Sequence, residues 1–277
     1  MGFALELLAQ LERFARCGAL PRVRALHLPP QPASDAPRGE FCALELDDGS
    51  LGLSYVLLGD TLARLRAPQA ASGLAGADAL SLARRLAAPD AAQRTLGLAA
   101  ANALSRCLYR RAGWRANDSA DSLGGLRPRR GEAVGMVGLF TPLIPRVLAS
   151  GARLTVVELG THLAAEHEGW RVTLDADALR QCDKVLATGT LVLNDTLDAM
   201  LARCTRARHV ALVGPSLGCL PDALFARGVT LVGGSWVDDT PACVDALRRG
   251  EPHPKAARKV AITPRDYPGF DALLARL

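Results

Sequence analysis

The spacing of hydrophobic residues changes twice along the chain. Residues 3–16, FALELLAQLERFAR, put Ala4, Leu7, Leu8, Leu11 and Phe14 on one helical face, with a stop near Gly18. Val23 to Leu28 reads as a strand halted by Pro29-Pro30, and 31–39 as a polar, proline-containing loop. Phe41–Leu46 and Leu51–Leu58 flank Asp47-Asp48-Gly49-Ser50, a hairpin signal. The period then becomes helical over Ala77–Leu86 and Ala91–Tyr109. Residues 1–114 thus predict a small α+β domain.

Residues 115–132 are polar and turn-rich, with Gly124-Gly125, Pro128 and four arginines, and read as a linker. From 133 to 277, short apolar runs alternate with helical patterns. Strands are expected at 134–138, 154–158, 184–187, 209–213 and 229–232. Helices are expected at 142–148, 175–182, 194–203, 221–226 and 240–249. Residues 259–262 and 267–277 read as a last short strand and a closing helix. Such alternation predicts a parallel α/β sheet with helices on both faces.

Three strands run into polar turns: Gly138 to Thr141 with Pro142, Thr188-Gly189-Thr190, and Gly214-Pro215-Ser216. In an open parallel sheet, such turns gather at the carboxyl edge, where ligands bind. Their hydroxyls, glycine backbones and following helix starts suit a carboxylate or phosphate. Asn194 is placed to cap the helix after the second turn.

Length and composition narrow the class. A chain of 277 residues with 49% hydrophobic residues supports two packed domains. No apolar run reaches the roughly 18 to 20 residues of a membrane span. The amphipathic start, with Glu6 and Glu12, reads as a helix and not a signal peptide, so a cytoplasmic protein is expected. The net charge of +5 comes from scattered arginines, and aromatics are only 4%. That excludes the basic, aromatic-interleaved stripe of a nucleic-acid groove. Seven cysteines without a CxxC pair argue against a disulfide framework or zinc ribbon. Oligomeric state and turnover stay open, with a homo-oligomer allowed.

Candidate chemistry follows from the turns. Gly135 and Gly138 do not make GxGxxG, and Pro142 opens the next helix, so a nicotinamide cofactor held in the usual way is not expected. Glu158 ends the second strand, where nucleotide-binding folds use a carboxylate for ribose hydroxyls. Gly97 and Asn102 sit in an alanine-rich helix. Gly97 costs about 1 kcal/mol of helix stability relative to alanine, which close approach of another backbone would explain. Asn102 is either a satisfied buried amide or a group reaching into a cleft. His162, His167 and Cys219 are candidate ligands for a divalent transition metal such as zinc, nickel or cobalt. The i to i+5 histidine spacing does not suit one helical face.

VGMVGLFTPLI, VVE, ATGTLVLNDTLDAML and VALVGPSLGCLPDALFARGVTLVGG together resemble the bacterial and archaeal heavy-metal chelation family. GLSY at Gly52–Tyr55 and GLAAANAL at Gly97–Leu104 resemble its N-terminal signatures. The resemblance implies an enolase-N-terminal-like domain followed by a Rossmann-like domain, with a site in the cleft between them. By position it carries Asn102, Phe140, Thr141, Thr188, Gly189, Thr190, Asn194, Pro215 and Ser216 onto that site. The expected partner is a small anionic or metal-chelating ligand, with Thr188, Thr190 and Ser216 orienting carboxylates and Asn102 closing the site. An alternative is a nucleoside-containing substrate such as S-adenosylmethionine, with Glu158 on the ribose. A third is a metal handler built on His162, His167 and Cys219.

Overall fold

Strands β1 (Val23–His27), β2 (Phe41–Leu46) and β3 (Leu51–Tyr55) form an antiparallel sheet in that order. The computed structural model describes residues 2–30, 40–68, 72–251 and 256–277, so the loop expected at 31–39 lies outside the described residues. The sheet is backed by the helix Ala91–Arg111, which starts at Asp90, whose carboxylate accepts the Gln93 N–H at 2.9 Å, and ends in Arg110 and Arg111. Residues 95–105 of it are buried on every side, which is why the middle stretch Leu96–Leu104 is almost wholly apolar instead of amphipathic. The amphipathic helix Phe3–Ala15 lays Leu7, Leu11 and Phe14 into the same core.

Two glycines set the packing of this unit. A Cβ on Gly97 would lie 2.0 Å from the Leu86 backbone nitrogen, and one on Gly52 2.1 Å from the Ala99 carbonyl oxygen. Only glycine lets these backbones touch, as the helix-interior position of Gly97 suggests.

The second sheet has nine strands. They are β4 (Asn117–Asp118), β5 (Ala133–Val137), β6 (Arg153–Val157), β7 (Ala165–His167), β8 (Trp170–Thr173), β9 (Lys184–Thr188), β10 (His209–Val213), β11 (Leu231–Val237) and β12 (Ala257–Ile262). Their order is β4-β12-β11-β10-β9-β5-β6-β8-β7. The six strands β11-β10-β9-β5-β6-β8 are parallel; β12 and β7 pair antiparallel with β11 and β8, and the edge strand β4 pairs antiparallel with β12. Numbered among themselves, the parallel strands run 6-5-4-1-2-3, the doubly wound order. The order reverses between β5 and β9.

Each sheet face has its own core. Val137, Val157, Val185, Ala187 and Leu212 face the first unit. Val134, Met136, Val156, Leu186 and Ala211 face away and pack against Ile144 and Val147 of the helix Ile144–Leu148. That second core also takes Leu123 and Leu126, so the stretch read as a linker is packed onto the sheet, and its β4 hydrogen-bonds to β12.

Other boundaries shift. The expected helix at 175–182 is a 3-10 turn, Ala176–Gln181, and the stretch between the strand at 154–158 and that helix, where no element is expected, contributes a 3-10 turn and the hairpin β7–β8. The helix expected at 194–203 begins only at Leu197, with Thr196 at its N-cap. Asn194 instead accepts the Thr196 N–H at 3.2 Å and its hydroxyl at 2.6 Å. Among the described residues, no helix is long and apolar enough to cross a membrane.

Candidate functional site

The carboxyl ends of β5, β6 and β9 meet where the strand order reverses, and a cleft of about 500 Å³ opens there towards the first unit. Gly138 turns the chain away from β5 with φ of 92°. A Cβ on it would lie 3.0 Å from the Thr188 methyl carbon, so glycine serves both the turn and the close approach of β9. Glu158, just beyond β6, accepts the Leu139 N–H at 2.5 Å on one oxygen and the Leu159 N–H at 3.2 Å on the other. A charged acceptor thus holds the glycine turn in place, and its remaining lone pairs stay available at the cleft wall.

Across the cleft, Thr188 caps the 3-10 turn Gly189–Val192. Its hydroxyl lies 3.1 Å from the Thr190 hydroxyl. Thr190 and Asn194 complete that wall, and Glu40, Tyr55 and Leu58 of the first unit form the opposite one. Burial, and then the charge of Glu40, push the Tyr55 phenol above its ordinary pKa. It therefore stays protonated and able to donate.

The twelve predicted ligand-binding residues separate into groups. Gly138, Phe140, Glu158, Thr188, Thr190 and Asn194 line the cleft. Gly214 and Pro215 do not. With Phe140, which is common to both, they line a second cavity on the opposite face of the sheet. Ser216 and Asn102 are buried ties between the two units. The Ser216 hydroxyl accepts the Tyr55 N–H at 2.9 Å. Asn102 donates to the carbonyls of Leu53 at 2.7 Å and Ser216 at 2.8 Å. Asn102 is thus the buried amide and not a group in the cleft, although its Oδ1 has no protein partner. Gly189 is buried against Leu217, and Thr141 is exposed in a 3-10 turn away from both cavities.

The three candidate metal ligands are not brought together. His162 is exposed, His167 is exposed and stacks on Trp170 with ring centroids 4.0 Å apart, and Cys219 is buried. Burial pushes the Cys219 thiol up to about 12, so it is protonated at neutral pH and a poor metal ligand. Among the described residues, no group of three or more His, Cys, Asp or Glu side chains could hold a metal ion.

Sequence reasoning missed Glu40, Tyr55, Thr196 and Met200 in the cleft. Tyr55 carried a signal as the last residue of GLSY, and Thr196 and Met200 as part of ATGTLVLNDTLDAML, whereas Glu40 reaches the cleft through tertiary folding alone.

A family model described as "Putative heavy-metal chelation" matches residues 123–265, more than half of the chain. The chain belongs to this family. A second model with the same description matches residues 39–105. Two solved structures from the family, both of unknown function, share the fold. The one from Desulfitobacterium hafniense is 22% identical, with a TM-score of 0.67 over 95% of this chain and 98% of that one. The one from Pyrococcus horikoshii is 20% identical, with a TM-score of 0.65 over 93% of this chain and 99% of that one. An uncharacterized protein of Methanocaldococcus jannaschii is 38% identical over 61 residues, 22% of this chain and 24% of that protein. The chain therefore matches about a quarter of the curated relative's length.

The family description implies a metal, and the residues here do not fit one held by protein ligands. Among the described residues, the cleft wall offers two carboxylates, Glu40 and Glu158, with hydroxyls and an amide, and no imidazole or thiolate. Heavy and late transition metals favour those softer donors.

Proposed function

We propose that this chain binds a small polar molecule, free or as a metal chelate, in the cleft between its two units. The observation that carries this reading is Glu158, held by the glycine turn at the edge where the strand order reverses. Ligands of open α/β sheets bind at such a position. Among the described residues, the cleft wall carries Glu40 and Glu158 and no lysine or arginine. The charge therefore favours hydroxyl, amine or net-cationic groups over the anionic ligand expected from the turns alone. A metal would arrive as cargo coordinated by the ligand's own atoms. Thr188, Thr190 and the Tyr55 phenol would orient the ligand, and Glu158 would accept its hydrogen bonds.

Native mass spectrometry of freshly purified protein beside a denatured control tests the reading. A mass excess released on denaturation, retained in the wild type and lost in both Glu158→Ala and Thr190→Val, supports it. An excess that both variants keep overturns it.

One observation favours a nucleoside-containing ligand within this class. Glu158 follows the second parallel strand, beside a glycine turn after the first, where doubly wound folds bind ribose. Saturable binding of an adenosyl compound such as S-adenosylmethionine, lost in Glu158→Ala, is the expected result. Absence of binding at millimolar concentration would remove this narrower reading and leave the broader one to the mass measurement.

A further inference from the structure

The cavity beyond Phe140 has a different chemistry from the cleft. It lies beyond the carboxyl end of β10 and along Leu231–Ser235 of β11, on the sheet face turned away from the first unit, and encloses about 220 Å³. In this half of the sheet that face is covered by the 119–126 stretch and not by a helix, which leaves the space open. Phe140, Leu143, Val213 and Leu231 give it an apolar interior. Gly233 and Gly234 of β11 and Gly214 after β10 present bare backbone there.

Its polar groups are few. Ser235 pairs with Lys259 in the antiparallel β11–β12 register, as Gly233 pairs with Ala261, so all four belong to the cavity side of the sheet. Ser119 and Ser122 complete the polar part of the wall. Among the described residues, Lys259 has no ion pair. The one carboxylate at the wall, Asp121, is committed to its own loop. Its oxygens accept the Leu123 N–H at 2.9 Å and the Gly125 N–H at 2.9 Å, and Arg146 lies 3.7 Å from it. The cavity therefore combines an apolar body, hydroxyls and one uncommitted ammonium.

We propose that this cavity is a second ligand site, for a small monocarboxylate with a compact apolar body, bound with its carboxylate at Lys259 and the serine hydroxyls. Its volume is below the roughly 300 to 1,000 Å³ of sites for drug-sized ligands, which limits the body to a short aliphatic chain or a single ring. The site does not depend on the cleft reading, because Lys259, Ser235 and Ala261 line this cavity and not the cleft.

Benzoate and n-valerate are the probes, followed by calorimetry and ligand-observed NMR on the full chain. Saturable binding is expected for the acids and at least about tenfold weaker binding for benzamide and valeramide, which lack the charge. Lys259→Met should weaken acid binding by about tenfold, and Ala261→Phe should abolish it by filling the space. Glu158→Gln should leave it unchanged. Lys259 is exposed, so its variant tests the site without disturbing the core. Equal binding of acid and amide, binding indifferent to Lys259→Met, or no saturable binding of either acid at 10 mM overturns the proposal. Loss of binding in Glu158→Gln with retention in Lys259→Met would do the same, by moving the acid to the cleft.

Discussion

The Asn102 amide nitrogen lies 2.8 Å from the carbonyl oxygen of Ser216, a residue 114 positions away in the chain. The same nitrogen lies 2.7 Å from the Leu53 carbonyl oxygen. One side chain on the central helix thus joins β3 to the turn after β10. Asn102→Ala removes both donors and leaves two buried carbonyls without them. A loss of about 2 to 4 kcal/mol is expected, measured as a lower urea midpoint with unchanged slope. Asn102→Asp should be no milder, because a carboxylate has no donor to offer.

Gly97→Ala should destabilise the protein, against the intrinsic preference of helices for alanine. The helix alone would gain about 1 kcal/mol. The added methyl would instead meet the Leu86 backbone at 2.0 Å. Overpacking against backbone costs about 1 to 3 kcal/mol or more, so a net loss is expected in thermal or urea unfolding. A gain in stability would show that the two helices can move apart freely.

Arg227 ties the first helix to the second unit. It donates to the two Glu6 oxygens at 2.8 and 3.0 Å, and it also bonds Asp198. The Arg227 hydrogen bonds hold the Glu6 carboxyl below its ordinary value of 4.5. A depressed carboxyl stabilises the fold above its ordinary value and loses that contribution as pH falls through the lowered one. The stability gap between wild type and Glu6→Gln should therefore be widest near pH 7 and shrink below about pH 4.5. Because Glu6 is a third exposed, a gap of at most about 1 kcal/mol is expected from urea titrations at each pH.

Cysteine reactivity should separate sharply by position. Cys17 is exposed, whereas Cys42, Cys107, Cys182, Cys219 and Cys243 are buried. Burial pushes Cys42 and Cys219 up to about 12, so neither burial nor charge state favours attack. A thiol reagent such as Ellman's should titrate Cys17 quickly in the folded protein and all seven cysteines only after unfolding. Fast labelling of Cys219 in the folded state would mean that solvent reaches it, and would reopen it as a ligand.

Local pattern carried much of this protein. The apolar runs Val134–Val137, Val185–Ala187 and Val210–Leu212 could form buried strands and little else, and their alternation with helices determined a parallel sheet. The glycine within the alanine-rich helix announced a close backbone contact, and the polar turns announced the sheet edge. These features depend on neighbours within a few positions, so they are legible in one dimension.

The division of those turns depended on tertiary structure. Ser216 and Asn102 look like ligand groups in sequence, yet each is consumed by a partner from the other half of the chain. Gly214 and Pro215 follow the same kind of strand as Thr188 does, but they face the opposite side of the sheet. Glu40 and Tyr55 give the cleft its other wall, and Lys259 gives the second cavity its ammonium group, through packing that brings distant segments together. Whether a polar side chain is spent on structure or left for a ligand is decided by what the fold places within hydrogen-bond reach. That distance exists only once the two units have packed.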